Sequence, residues 1–157
     1  MLTRDVVEKN LPPYWPGLVH REGRTLTRVT DLPDSNKKGP GSKNVGFVFH
    51  NPAMGGSRTR SVLLMAQAIE SGMLGDSKVR ALDGLSASGL RARRWMNELP
   101  KESASRLIAT VGDMEQNALD WAMAVLFGTI KSARKNADAK CAQSIQRIVL
   151  SFSMGGN

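Results

Sequence analysis

The run Asp83-Gly84-Leu85-Ser86-Ala87-Ser88-Gly89 opens with an acid and continues mostly with small side chains. Small residues let backbone N–H groups come close to a ligand. A helix starting just after them adds unpaired N–H groups and the positive end of its dipole. That combination suits a ligand carrying a carboxylate or ribose hydroxyls. The run is not G-x-G-x-x-G, because Leu85 and Ala87 stand where glycines would be expected. An ordinary strand-to-helix turn, with Ser86 or Ser88 as the cap, is the alternative. Asp113 follows Asp83 by thirty positions and also closes an apolar run. An acid there can accept two hydrogen bonds from a ribose diol. It can equally cap the next helix, with Gln116 three residues on completing a capping box.

These residues need strands and helices to hold them, and the pattern from Val45 onward provides a set. VGFVF (45–49) reads as a short β-like run ended by the turn-prone Asn51-Pro52. Ser57 is placed to cap a helix over 58–70, with Val62, Leu63, Ala66 and Ile69 on one face and Gly72 as its stop. KVRALD (78–83) reads as a strand, followed by the small-residue loop and a helix through 99 that Pro100 stops. RLIATVG (106–112) is a second strand. EQNALDWAMAVLF is a helix with Ala118, Trp121, Ala122 and Val125 at helical spacing, and SIQRIVLSF (144–152) is a third strand. Strands alternating with helices imply right-handed crossovers and a parallel sheet, so the class is α/β. Upstream, residues 1–46 are punctuated by prolines and glycines, and only LVHREGRTLTRV offers a β-pair, turning near Gly23.

The chain has 157 residues, a hydrophobic fraction of 41% and a net charge of +8, with an isoelectric point near 10.2. Such an excess of positive charge favours polyanionic partners, since each neutralised phosphate releases counterions. Lys37, Lys38 and Lys43 lie in a Gly/Pro/Ser stretch, and Arg91, Arg93 and Arg94 open the helix after the small-residue loop. Basic loops beside a basic helix suit RNA better than a membrane, and no apolar run approaches the roughly 18 residues of a membrane span. The single cysteine, Cys141, excludes an internal disulfide and makes no metal pattern with His20 and His50. A cytoplasmic protein is expected, or a nuclear one if the source is eukaryotic.

Asn51-Pro52-Ala53-Met54 invites comparison with the Asn-Pro-Pro-aromatic motif of enzymes that methylate adenine amino groups. That motif follows a fourth strand, whereas this one precedes the first, so an Asx-Pro turn is the better account. A second comparison covers more of the chain. Phe49-His50-Asn51-Pro52-Ala53-Met54, then Ser57-Arg58, then Asp83 through Arg91 together resemble the tRNA (guanine-26 N2)-dimethyltransferase family of archaea and eukaryotes. That family has a phenylalanine-tyrosine-asparagine-proline-x-methionine run, an asparagine-arginine-aspartate start to the next helix, and an aspartate-alanine-leucine-serine-alanine-threonine-glycine-isoleucine-arginine loop. Glu22-Gly23 resembles its early Glu-Gly, and Gly112-Asp113 falls on its asparagine-aspartate pair. The resemblance spans roughly residues 21–127.

The resemblance implies a Rossmann-like class I methyltransferase, here a partial doubly wound parallel sheet of about three strands. S-adenosyl-L-methionine would be the cofactor and tRNA the partner. Cofactor-binding positions carried over are Arg58, Asp83, Gly89, Arg91 and Asp113, with an arginine fork on the methionine carboxylate and an acid on the ribose; which arginine makes the fork stays open. The chain reads histidine, serine and threonine at 50, 57 and 59, where the family has tyrosine, asparagine and aspartate. The family also has an Asp-Pro-Phe-Gly motif after its fourth strand, and no Asp-Pro pair occurs here. The expectation is therefore an irregular segment over 1–46 and a partial cofactor domain over 47–157 that stops before the catalytic motif. Such a chain would need a complementing C-terminal portion, or would associate with itself along an open strand edge. A cofactor- or RNA-binding fragment without turnover, and a basic RNA-binding module without cofactor, are the competing readings.

Overall fold

The computed structural model describes residues 15–29, 47–135 and 148–152. Lys37, Lys38, Lys43 and Cys141 lie outside the described residues. Strands β1 (Leu18–Glu22) and β2 (Thr25–Val29) form an antiparallel hairpin, with Glu22 facing Thr25 across the turn. Gly23 takes φ +57 in that turn, and a Cβ there would lie 2.6 Å from the Glu98 carboxylate. Both the turn and the close approach require glycine. A separate sheet runs in the order β3 (Val79–Asp83), β4 (Leu107–Asp113), β5 (Ile148–Phe152), all parallel. The α/β class and the three parallel strands are as the sequence pattern implies.

Helix α1 (Gly55–Glu70) packs on α2 (Leu90–Glu98), while α4 (Gln116–Lys135) packs against β4 and β5. Val62 and Ile69 from α1, with Ala92, Trp95 and Met96 from α2, meet Val79, Leu107, Ala109 and Val111 in one core. A smaller cluster joins Trp121, Ala118 and Val125 of α4 to Val48, Trp15 and Phe47. Alternation along β3 turns Arg80 and Leu82 to the opposite face of the sheet, and Leu82 is 67% exposed there. Among the described residues β3 pairs only with β4, which leaves its other edge open. Among them, too, no helix is long and apolar enough to cross a membrane.

Several elements differ from the sequence expectation. Phe47–Phe49 form no strand: with no neighbouring strand, Val48 is buried instead against Trp121 and its cluster. Val45 and Gly46 lie outside the described residues. Helix α1 begins at Gly55, and Met54 caps it without a side-chain bond, so Ser57 sits inside the first turn. Leu63 is 63% exposed, because the face turned to α2 carries Arg58, Val62 and Ile69. An unforeseen helix, α3 (Lys101–Arg106), follows Pro100, which ends α2 and caps α3 where no N–H is needed. Arg93 and Arg94, expected on a basic helix suited to RNA, are instead 5% and 2% exposed, for reasons that belong to the site below.

Candidate cofactor cleft

An open cleft lies at the carboxyl end of β3. Its walls are the 49–54 segment, Arg58 from α1 and the loop leading from Asp83 to Arg91. Asn51 shapes the first wall through an Asx turn, its side-chain oxygen accepting from the Ala53 N–H at 2.9 Å. Phe49, Met54 and Leu85 give this mouth an apolar lip, being 50%, 38% and 75% exposed.

Asp83 ends β3 and points into the cleft at 8% exposure. Arg91 Nε lies 3.7 Å from its Oδ1, while Oδ2 is buried with no hydrogen-bond partner. Burial pushes its carboxyl above the usual range, Arg91 and the Ala92 N–H oppose that, and nearby Asp113 adds to it. Ser86 is 7% exposed and its Oγ is likewise without a partner. Its backbone is fully used: its N–H donates to the Gly112 carbonyl at 3.0 Å, and its carbonyl accepts from the Gly89 N–H at 2.8 Å. A buried acid oxygen and a buried hydroxyl, both unserved by protein, are costly unless something else meets them.

The loop between them is held from behind. Ala87 adopts φ +47, a left-handed conformation unfavourable for a residue with a Cβ. Its N–H donates to Asp113 Oδ2 at 2.8 Å, and the other oxygen of Asp113 accepts from the Glu115 N–H at 3.0 Å. Asp113 thus ties the loop to the start of α4. Gln116 does not complete a capping box; its side-chain amide donates to Asp120 instead. Gly89 takes φ +69 at the start of α2, and a Cβ there would meet Ala122 at 3.3 Å.

Arg58 reaches the cleft wall with its fork already engaged. Its Nε and Nη2 donate to the two oxygens of Glu22 at 2.7 and 2.5 Å, and Nη2 also donates to the Asn51 carbonyl at 3.1 Å. Arg94 Nη1 donates to the same Glu22 at 2.9 Å, while its Nε and Nη2 donate to Glu98, each at 2.8 Å. Glu98 also accepts from Thr25 Oγ1 and the Arg24 N–H of the hairpin. Burial would raise both glutamates, yet the guanidinium donors hold Glu22 and Glu98 below the usual range. Arg93 serves the hairpin too, donating to the Leu26 carbonyl at 2.5 Å. His50 faces His20 with ring centroids 4.8 Å apart. Burial, and then the charges of His20 and Arg58, depress its imidazole to about 4 despite Glu22, so it is neutral at neutral pH.

Of the five expected site residues, Arg58, Asp83 and Arg91 line one cleft, while Gly89 and Asp113 stand behind its loop. Sequence reasoning weighed Ser86 only as a helix cap and noticed Glu22 only through its Glu-Gly resemblance. The family comparison settles the ancestry of this arrangement. The profile of N2,N2-dimethylguanosine tRNA methyltransferase matches residues 27–141, well over half of the chain. The chain belongs to the N2,N2-dimethylguanosine tRNA methyltransferase family. A similar solved structure is that of Trm1 from Pyrococcus horikoshii in complex with S-adenosyl-L-methionine, at 21% identity and a TM-score of 0.43. The match covers 69% of this chain and 22% of that one. No curated protein matches the chain. Within this N2,N2-dimethylguanosine tRNA methyltransferase family member, the matched stretch contains every residue of the cleft wall.

Proposed function

We propose that the chain is the S-adenosyl-L-methionine-binding part of a tRNA guanine-N2 dimethyltransferase. The observation that carries this reading is the pair of unserved polar atoms, Asp83 Oδ2 and Ser86 Oγ, buried in a cleft that also holds two arginines. A ligand with an amino group, a carboxylate and hydroxyls would meet that set. Arg58 and Arg91 would hold the methionine carboxylate, and Asp83 the amino group, whose charge would keep the carboxyl ionised against its burial. Ser86 would hold a ligand acceptor or hydroxyl. Asp113 would keep the loop in shape, with its ribose role open to a change of partner on binding. The cofactor supplies an electrophilic methyl group; the chain's residues fix its direction and exclude water on the floor of the cleft. The positive charge of the chain suits tRNA, and the 1–46 lysines belong to that part of the reading, as does a cytoplasmic or nuclear setting.

Calorimetric titration with S-adenosyl-L-methionine tests the reading. Wild type should bind saturably, and Asp83→Asn and Arg58→Ala should each lose tenfold or more in affinity, about the effect of one charge-assisted hydrogen bond. A folded wild-type chain that binds no cofactor yet binds tRNA would leave the basic RNA-binding module as the correct account. Turnover is then measured on tRNA with and without a complementing fragment carrying an Asp-Pro motif, which separates an enzyme from a binding protein. Pairing of that fragment, or of a second copy, along the β3 edge that no described strand covers is part of the same proposal.

A further inference from the structure

Glu22 lies on the hairpin, 36 positions before Arg58, and meets it in a two-pronged ion pair. Both side chains are nearly buried, at 11% and 12% exposure. Glu22 is itself anchored, because Arg94, only 3% exposed at its side chain, donates to it from α2. Room for the carboxylate is provided by Gly55 at the start of α1, where a Cβ would lie 3.3 Å from Glu22 Oε2. The Asn51 carbonyl accepts a further hydrogen bond from Arg58 Nη2. Three bonds thus set the plane of a guanidinium that lines the cleft, and the end of it beyond the fork is what remains for a ligand.

We infer that Glu22 is a positioning residue for the cleft, fixing the plane and reach of Arg58 and thereby the hold on the carboxylate end of the cofactor without touching the ligand. This rests on the reading of the cleft as an S-adenosyl-L-methionine site. An arginine side chain left without this partner regains its rotamer freedom, and each ligand contact must then order it again. The effect is confined to the amino-acid end of the ligand, since Arg58 serves that end alone in this reading.

The test compares S-adenosyl-L-methionine with 5′-methylthioadenosine, which keeps the nucleoside and lacks the amino acid. Glu22→Gln should weaken binding of the first on the order of tenfold and leave the second unchanged. Glu98→Gln removes the other acid of the same buried chain, loosens the hairpin and should leave both affinities unchanged. In an Arg58→Ala background, Glu22→Gln should add nothing. Should Glu22→Gln fail to fold by circular dichroism, Glu22→Asp takes its place, with a smaller loss for S-adenosyl-L-methionine only. Equal losses for both ligands, or an equal loss in Glu98→Gln, would make Glu22 merely structural and overturn the inference. Tighter S-adenosyl-L-methionine binding in Glu22→Gln would also overturn it, identifying Glu22 as a competitor for Arg58. A wild type that binds 5′-methylthioadenosine but gains nothing from the amino acid would remove the inference while sparing a nucleoside site. A wild type that binds neither would remove the cofactor reading and the inference with it.

Discussion

Arginines and carboxylates build both the contact between the hairpin and α2 and the floor of the cleft, but they are matched differently. At the hairpin, each of the four carboxylate oxygens of Glu22 and Glu98 accepts at least one hydrogen bond, and the acids are held below their usual range. At the cleft, Asp83 keeps one oxygen without a partner, its nearest guanidinium stands at 3.7 Å, and burial pushes its carboxyl up. The first cluster has been completed by protein and contributes to stability; the second is left incomplete at a cost to stability. Backbone strain at Ala87 and two unmet buried polar atoms in the same cleft point to binding there.

The largest effect expected from breaking the matched side is that of Arg94→Ala, which strands Glu22 and Glu98 in the interior. Denaturant unfolding should show a loss of about 3–5 kcal/mol, the usual result of removing one partner from a buried ion pair. A loss under about 1 kcal/mol would mean that the hairpin contributes little to the fold. Acid comes next. The imidazole of His50, depressed to about 4, takes up its proton in the unfolded chain near pH 6.5. Stability should therefore fall as pH drops from 6.5 towards 4, by at most about 3 kcal/mol, and His50→Phe should remove that slope. Glu22 and Glu98, being lowered, add a further loss only below about pH 4.5, as pH falls through their folded values.

The unmatched side should respond in the opposite sense. Asp83 is raised, so its ionisation costs stability as pH rises past its ordinary value of 3.8. Asp83→Asn should raise the unfolding midpoint, by about 1 kcal/mol in stability, while weakening cofactor binding about tenfold or more. A destabilised variant that still binds would place Asp83 with the structural acids. The smallest change expected is that of Ala87→Gly, which relieves the left-handed backbone at φ +47 and should stabilise the chain by about 0.5–1 kcal/mol. If that variant also loosens cofactor binding, the loop shape that Asp113 holds is part of the site.

The sequence carries the frame of this arrangement clearly and its inward charges poorly. Asp83 at a strand end, the small-residue loop and a helix stopped by Pro100 are local signals, and each stands where periodicity and turn chemistry put it. The hairpin is legible from Gly23 between two alternating runs. Arg93 and Arg94 are another matter, since a run of arginines opening a helix reads as solvated charge. Their burial depends on Glu22 and on hairpin carbonyls far away in sequence, which no local pattern reveals. Phe47–Phe49 show the same limit: β-rich residues become a strand only beside another strand, and Val48 packs against Trp121 instead. Asp113 was open to two readings because ribose and backbone N–H groups ask the same of a carboxylate, and here both of its oxygens meet backbone.

The bonds between the hairpin and α2 join residues 67 to 74 positions apart. During synthesis the hairpin therefore leaves the ribosome well before the helix that receives it, and Glu22 waits with no arginine from α2 to meet. Closing so long a loop is an entropic step that local helices and turns do not face, and contacts of this span slow folding. Glu22 can meet Arg58, only 36 positions on, before α2 exists, but its anchoring by Arg94 must wait for that helix. A newborn chain thus locks Arg58 into the cleft wall only once α2 has supplied Arg94 to hold Glu22.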